Sequence, residues 1–411
     1  MSNNFFEMDH AEEPVARIKV VGVGGAGGNA IRRMVDAGLS RVEFVAINTD
    51  EQVLHESRAT SQLCIGRNVT KGLGAGGRPE IGRQAIEEDR ERVGDALSGA
   101  DMVFITAGMG GGTGTGASPV VAELARDAGA LTVGIITTPF AYEQAKRQQR
   151  ASQGVEELRE HVDTLIVISN QRLLDVMPPK TALTEAFKAA DNVLLQAVQG
   201  ITDIILVPGL INLDFADVRT AMSYRGDATM GSASASGANA AREAATAAIS
   251  SPLLEDVSIA GAKGLIVNVT ASPSLSQDEI NEAMDVINAE SGPDADVFVG
   301  VVLDPNMQEG DIRITVIATG FELRKPGLAY AQKQSLREQP RRPVSSSAQS
   351  REQNLSVPTW QRKHQELQEG APEEEPQHDR ESDDRFHKEY SPSSDDIRVP
   401  TFIRKARRRT E

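Results

Sequence analysis

The run Gly108-Met109-Gly110-Gly111-Gly112-Thr113-Gly114-Thr115-Gly116 has the makeup of an anion cradle. Residues without a Cβ let successive backbone N–H groups close around a negative charge. Thr113 and Thr115 add hydroxyl donors at the same place. An apolar, strand-like stretch over 101–107 precedes the run, and a helix-like stretch over 117–128 follows it. The unpaired N–H groups and positive dipole end of that helix then face the same spot. The chemistry this suits is phosphate binding. It is not a Walker loop, because the Gly-Lys-Ser/Thr ending is absent.

A second loop offers the same chemistry. Gly22, Gly24 and Gly27 satisfy G-x-G-x-x-G after an apolar strand over 18–23. Gly24-Gly25-Ala26-Gly27-Gly28-Asn29 then leads into a helix over 30–37. This spacing also fits a dinucleotide fold, which wants an acidic residue at the end of the second strand. The strand over 42–47 ends in Asn48-Thr49-Asp50, so Asp50 keeps a nicotinamide-dependent oxidoreductase open as an alternative. The richer loop at 108–116 is not needed for a dinucleotide. Two such loops suit a nucleoside di- or triphosphate gripped from both sides. Farther along, Asp214 and Asp217 flank the start of a helix over 216–222, in a capping pattern worth about 1 kcal/mol.

These residues need a frame. Strands and helices alternate from Arg17 to about Gly200, the pattern of a parallel sheet covered on both faces. Further strands read over 131–137 and 164–169, with helices over 80–97, 117–128 and 143–161. The glycine-rich stretch 71–79 reads equally as a mobile lid or as an ordinary connection. A long helix over 182–201 packs Val193, Leu194, Ala197 and Val198 on the sheet and bridges to a second block. That block has helices near 215–222, 238–249 and 277–289, and strands near 264–270, 296–303 and 311–319, which predicts a smaller α+β domain.

Composition narrows the classes. The single cysteine, Cys64, allows no internal disulfide, and the six histidines show no metal-ligand spacing. A net charge of −16 argues against bulk nucleic-acid binding. No stretch is apolar enough for direct membrane insertion, and the acidic start, 1–13, is unlike a signal peptide. From Arg324 to Asp396, a segment that includes Trp360, aliphatic residues are too sparse to bury a core. An apolar stretch returns over 397–403, followed by the basic end 404–409, the form of a tethered peptide ligand.

Together these residues resemble the bacterial tubulin-like cell-division GTPases, the FtsZ family. The resemblance rests on Gly110–Gly116, on Asn212-Leu-Asp-Phe-Ala-Asp-Val218, and on the terminal peptide 395–405. It implies a tubulin-type α/β fold: a parallel-sheet GTP-binding domain, a long central helix, a smaller α+β domain and a disordered tail. The implied segments are 1–16 (flexible), 17–181 (GTP-binding), 182–205 (central helix), 206–322 (C-terminal domain), 323–396 (linker) and 397–411 (partner peptide). It implies GTP and GDP as ligands, with Mg2+ held by phosphates and water. Gly110, Gly111, Gly112, Thr113, Gly114, Thr115 and Gly116 would hold the β- and γ-phosphates. Gly24, Gly25, Ala26, Gly27, Gly28 and Asn29 would close over the α-phosphate side.

Further roles follow only from the resemblance. Glu143 and Arg147 would contact ribose and phosphate, although as an i, i+4 pair they also read as a surface salt bridge of about 0.3–0.5 kcal/mol. Asn170 and Asp191 would read the base, and Phe187 would stack on it unless it is simply a core aromatic. Asn212, Asp214 and Asp217 would form a catalytic loop that enters the next subunit's pocket and polarises the attacking water. Head-to-tail filaments of a mid-cell division ring, on the inner face of the cytoplasmic membrane, would follow. Membrane tethers such as FtsA and ZipA would bind through 397–405, with further division-site regulators. A tubulin-like filament outside division is a third possibility, against which the terminal peptide argues.

Overall fold

β1 (Ile18–Val23) sends Ile18 and Val20 into one hydrophobic core and Val21 and Val23 into another. Burial on both faces is the signature of a central parallel strand. The computed structural model describes residues 16–224, 226–251 and 259–321. All of these belong to the first of two units into which the chain divides, 1–327. The N-terminal segment before residue 16, the linker and the terminal peptide lie outside the described residues.

After β1 come α1 (Gly24–Asp36), β2 (Glu43–Asn48), α2 (Glu51–His55), β3 (Ser61–Cys64) and α3 (Arg67–Thr70). Next are α4 (Pro79–Glu88), α5 (Arg90–Leu97), β4 (Met102–Gly108), α6 (Thr113–Asp127) and β5 (Leu131–Thr138). A 3-10 turn, Ala141–Glu143, leads to α7 (Ala145–His161), β6 (Thr164–Ser169) and α8 (Asn170–Val176). The long α9 (Leu183–Leu206) then connects to α10 (Phe215–Ser223), β7 (Gly226–Ser236) and α11 (Ala240–Ile249). β8 (Gly264–Ala271), α12 (Gln277–Ser291), β9 (Asp296–Leu303) and β10 (Asp311–Thr319) complete the described chain.

The strands form one sheet in the order β3-β2-β1-β4-β5-β6-β7-β10-β8-β9. β1 to β6 are all parallel, as the alternating pattern predicts. β7 joins β6 only over Thr164–Ile166, and β10 runs antiparallel between β7 and β8. One face of the parallel part is covered by α1, α9 and α10, whose Ile31, Met34, Leu194 and Val218 are buried together. The other carries α4 to α7, with Ile86, Val93, Val120 and Leu158. α11 and α12 pack Ala244, Ala248 and Ile287 on β8 and β10 as a third core.

Several boundaries differ from the sequence reading. α1 starts at Gly24 and α6 at Thr113, so both glycine runs are partly first turns of helix rather than loops. Glycine costs a helix interior about 1 kcal/mol against alanine, and tertiary packing overrides that here. The expected helix over 80–97 breaks at Asp89, whose Oδ2 accepts from Gly66 N at 2.8 Å. β7 escaped the reading because its Gly-, Ala- and Ser-rich sequence carries little strand propensity; pairing with β10 along most of its length holds it. Among the described residues no helix is long and apolar enough to cross a membrane.

Candidate active site

The strand order puts β1 beside both β2 and β4, so successive connections leave the sheet in opposite directions there. Such a switch point opens a crevice at the C-terminal ends of the strands. Val23 pairs with Ala107, so α1 and α6 start side by side in it. A Cβ added at Gly24 would lie 2.9 Å from Gly114 N, which shows how closely the two starts meet.

The glycines divide into two groups. A Cβ at Gly22 would fall 2.5 Å from Gly27 O, one at Gly27 2.4 Å from Thr106 O, and one at Gly116 1.9 Å from Pro79 O. These glycines are demanded by backbone packing. Gly25, Gly28 and Gly111 would meet nothing within 4 Å, so they face open space in front of the two helix starts. The threonines correct an expectation. Thr113 Oγ1 pairs with Thr49 Oγ1 at 2.6 Å, and Thr115 Oγ1 accepts from Gly110 N at 2.9 Å. Both side chains are buried, so they brace the cradle rather than line it.

The 71–79 stretch is no free lid either. Gly74 N donates to Thr49 O and Glu51 N to Gly72 O, both at 3.1 Å. A Cβ on Gly112 would meet Ala75 Cβ at 2.8 Å, so the stretch packs against the second glycine run. Leu73 alone among its apolar side chains stands 76% exposed. Asp50 is committed as the N-cap of α2, accepting from Gln52 N at 3.0 Å and Val53 N at 3.3 Å. That gives Asp50 a structural duty that needs no dinucleotide.

Around the crevice stand the other expected residues. Glu143 precedes α7 instead of lying on it, because Gln144 takes φ 72° and ψ 154° and breaks the helix. Its carboxylate accepts from Phe140 N at 2.9 Å and pairs with Arg147 Nε at 3.1 Å. Gly110 ties this corner to the cradle: a Cβ there would meet Arg147 O at 2.6 Å. Asn170 opens α8 at the end of β6, and its buried Oδ1 has no hydrogen-bond partner. A buried orphan acceptor at a crevice is a place for a ligand's donor.

Phe187 is 44% exposed, so it is not a core aromatic. It meets buried Phe140 edge-on at 5.3 Å, and Phe140 stacks on Tyr142 at 5.2 Å. Sequence reasoning passed over Tyr142; its place two residues after the Pro-Phe pair at the end of β5 was the available signal. Asp191, one turn on from Phe187, is half-buried. Burial pushes its carboxyl up to about 6, against the pull of Arg33 and Arg32 on α1.

Asn212, Asp214 and Asp217 are not in this crevice. Asp214 caps α10, accepting from Asp217 N at 2.8 Å, as the residue chemistry alone predicts. Asn212 Oδ1 accepts from Gly209 N at 2.7 Å and folds the connection back on itself. α10 sits at the opposite edge of the sheet: Arg219 donates to Gly129 O, just ahead of β5, and Thr164 at the start of β6 donates to Met222 O. At about 1.5 Å per residue, α9 separates Asp191 from Leu206 by about 22 Å.

Residues 17–178 match the GTPase domain of the Tubulin/FtsZ family, and residues 226–322 match the C-terminal domain of the FtsZ family. The structure of an FtsZ dimer from M. jannaschii is 43% identical, covers 74% of this chain and 88% of its own, and superposes with a TM-score of 0.71. This chain belongs to the FtsZ family. A mutant FtsZ from M. jannaschii is similar at 43% identity, covering 75% of this chain and 92% of its own, with a TM-score of 0.71. CetZ2 from Haloferax volcanii, in a GTPγS-bound protofilament, shares the fold at 22% identity and a TM-score of 0.64, covering 78% of this chain and 98% of its own.

Tubulin/FtsZ proteins are guanine-nucleotide-binding GTPases, and FtsZ-family proteins polymerise. The residues here fit such a ligand. The crevice offers open glycines before two helix starts, an orphan acceptor on Asn170, an exposed aromatic and the half-buried carboxylate of Asp191.

Proposed function

We propose that this FtsZ-family chain binds GTP in the β1/β4 crevice and hydrolyses it only when a second copy docks head-to-tail. Within the run Gly110 to Gly116, the backbone N–H groups from Gly111 to Thr115 cradle the β- and γ-phosphates, since Gly110 N and Gly116 N already donate to Thr115 Oγ1 and Gly112 O, and Gly24 to Asn29 cover the α-phosphate side. Arg147 and Glu143 meet phosphate and ribose. Phe187 stacks on the purine. Asn170 and Asp191 read its edge: a carboxylate accepts from guanine N1–H and the 2-amino group, which adenine cannot offer. Among the described residues no group of three His, Cys, Asp or Glu side chains gathers as a metal site. Mg2+ would accordingly ride on phosphates and water.

The single observation that carries the reading is the position of Asp214 and Asp217. They lie at the sheet edge opposite the phosphate cradle. Within one chain they cannot reach a γ-phosphate. On a second copy stacked along the same axis they enter its crevice, orient the water and polarise it, with Asn212 holding the loop. An interface of this head-to-tail kind does not close on itself and yields open filaments. We place these filaments in the division ring at mid-cell, on the cytoplasmic face of the membrane, with residues 397–405 binding tethers such as FtsA and ZipA.

Light scattering of the purified chain with GTP, GDP, ATP or NAD tests this. GTP alone should drive assembly in the presence of Mg2+, followed by decay as GTP is consumed. Assembly driven equally by ATP, or specific NAD binding without a response to GTP, would overturn the reading.

A further inference from the structure

α9 ends at Leu206 with no basic residue in its last turn, so the negative end of its dipole and its last carbonyls need a cation from elsewhere. Asp203, in that same turn, adds negative charge to the problem. Arg41 answers it from far away in sequence: its Nη1 donates to Leu206 O. The backbone of Arg41 takes φ 65°, a left-handed conformation that glycine adopts freely and arginine does not. A side chain kept at such a position is explained by what the side chain holds.

The two helices joined here run between the proposed nucleotide site and the carboxylate loop. α1 begins at Gly24 in the first glycine run, and Arg41 lies shortly after its end. α9 carries Phe187 and Asp191 near its start, and the connection bearing Asn212 and Asp214 follows its end. From the last turn of α1, Arg33 Nε donates to Asn192 Oδ1, next to Asp191, at 2.6 Å. Near the end of α9, a cavity of about 90 Å³ lies between the two helices, lined by Gly38, Ser40, Arg41, Gln199, Asp203 and Leu206. Leu206 is buried in the core beside this cavity, and Leu210 N donates to Val301 O at 2.8 Å just beyond it, so the Arg41 bond adds a polar hold on the last turn of α9 to these anchors.

We propose that Arg41 is a positioning residue for hydrolysis: by clamping Leu206 it sets how far Asp214 and Asp217 reach into the neighbouring subunit's crevice. This rests on the shared-site reading above. Arg41 itself touches neither nucleotide nor water.

The test compares the full chain with Arg41→Gly, Arg41→Lys and Asp214→Asn. Three quantities are read: the melting temperature, the GTP dissociation constant below the assembly threshold, and kcat per assembled subunit. Glycine suits φ 65°, so Arg41→Gly should melt no lower than the parent and bind GTP equally. Its kcat should fall about tenfold, less than the roughly hundredfold that a 1 Å misplacement of reacting groups can cost. Arg41→Lys should recover most of that loss, because an ammonium still serves a helix C-terminus. Arg41→Gly at the parental kcat, or Arg41→Lys no better than Arg41→Gly, overturns the positioning role. So does a loss of GTP affinity in step with kcat. Asp214→Asn separates this from the parent reading. If it is inactive while Arg41→Gly is normal, only the clamp fails; if it keeps the parental rate, the shared site fails and the clamp with it.

Discussion

Gly27 and Gly28 are neighbours in sequence with opposite duties. A methyl at 27 would drive into Thr106 O, whereas a methyl at 28 would enter open space. Gly27→Ala should therefore lower unfolding stability by about 1–3 kcal/mol through overpacking, as denaturant titration would read. Gly28→Ala should leave unfolding unchanged or slightly improved and weaken GTP binding, since its methyl occupies ligand space. Equal effects of the two on stability would show that the division of the glycines is wrong. Asp191 gives a second residue-scale expectation. Its folded pKa, about 6, stands above its ordinary value of 3.8 because burial disfavours the charge. Its contribution to stability is therefore fully present below the ordinary value and is lost as pH rises through about 6. Base recognition needs the carboxylate and runs the other way. GTP affinity should fall as pH drops through about 6, and Asp191→Asn should remove that component. Asp191→Ala should cost about 1.5–3 kcal/mol of GTP affinity at neutral pH, the worth of a charged acceptor. A binding titration giving equal affinity in variant and parent would remove Asp191 from the site.

At the scale of elements, what was legible depended on how strongly pattern and tertiary structure agreed. The parallel strands read clearly because burial on both faces makes apolar runs such as Val103-Phe104-Ile105. The glycine runs read as loops because intrinsic propensity speaks against helix, and only packing against Thr106 and Pro79 explains why α1 and α6 begin inside them. Gln144 was likewise hidden. Its backbone angles, φ 72° and ψ 154°, belong to a region that glycine occupies and other residues reach only under strain. No residue type announced that break, so Glu143 read as part of the following helix. Gln144→Gly should relieve the strain and raise stability by about 1 kcal/mol, readable as a higher denaturation midpoint. A lower midpoint would mean that the glutamine side chain holds the turn.

For the molecule as a whole, residue types and spacing carried the site's parts but not their separation, which only the family resemblance implied. Asp214 and Asp217 lie 23 and 26 residues beyond Asp191, and α9 carries the chain between them to the far edge of the sheet. That distance makes a site shared by two chains the natural reading of one chain's geometry. The tail calls for a separate expectation. Deleting 397–411 should leave GTP turnover and polymerisation nearly intact while abolishing co-sedimentation with a membrane tether, because the apolar 397–403 stretch is its proposed adhesive element. Loss of GTP-driven assembly would instead assign the tail to the polymer.

The shared site is tested most directly by mixing. Asp214→Asn should fold and bind GTP like the parent, because asparagine caps a helix about as well as aspartate. At fixed total protein above the assembly threshold, increasing proportions of this variant should depress turnover per parental subunit. Each variant subunit that docks on a parental crevice leaves that neighbour's GTP without the Asp214 carboxylate. Turnover that instead follows the parental fraction in simple proportion, in solutions shown by scattering to be co-assembled, would mean that each chain hydrolyses its own GTP unaided.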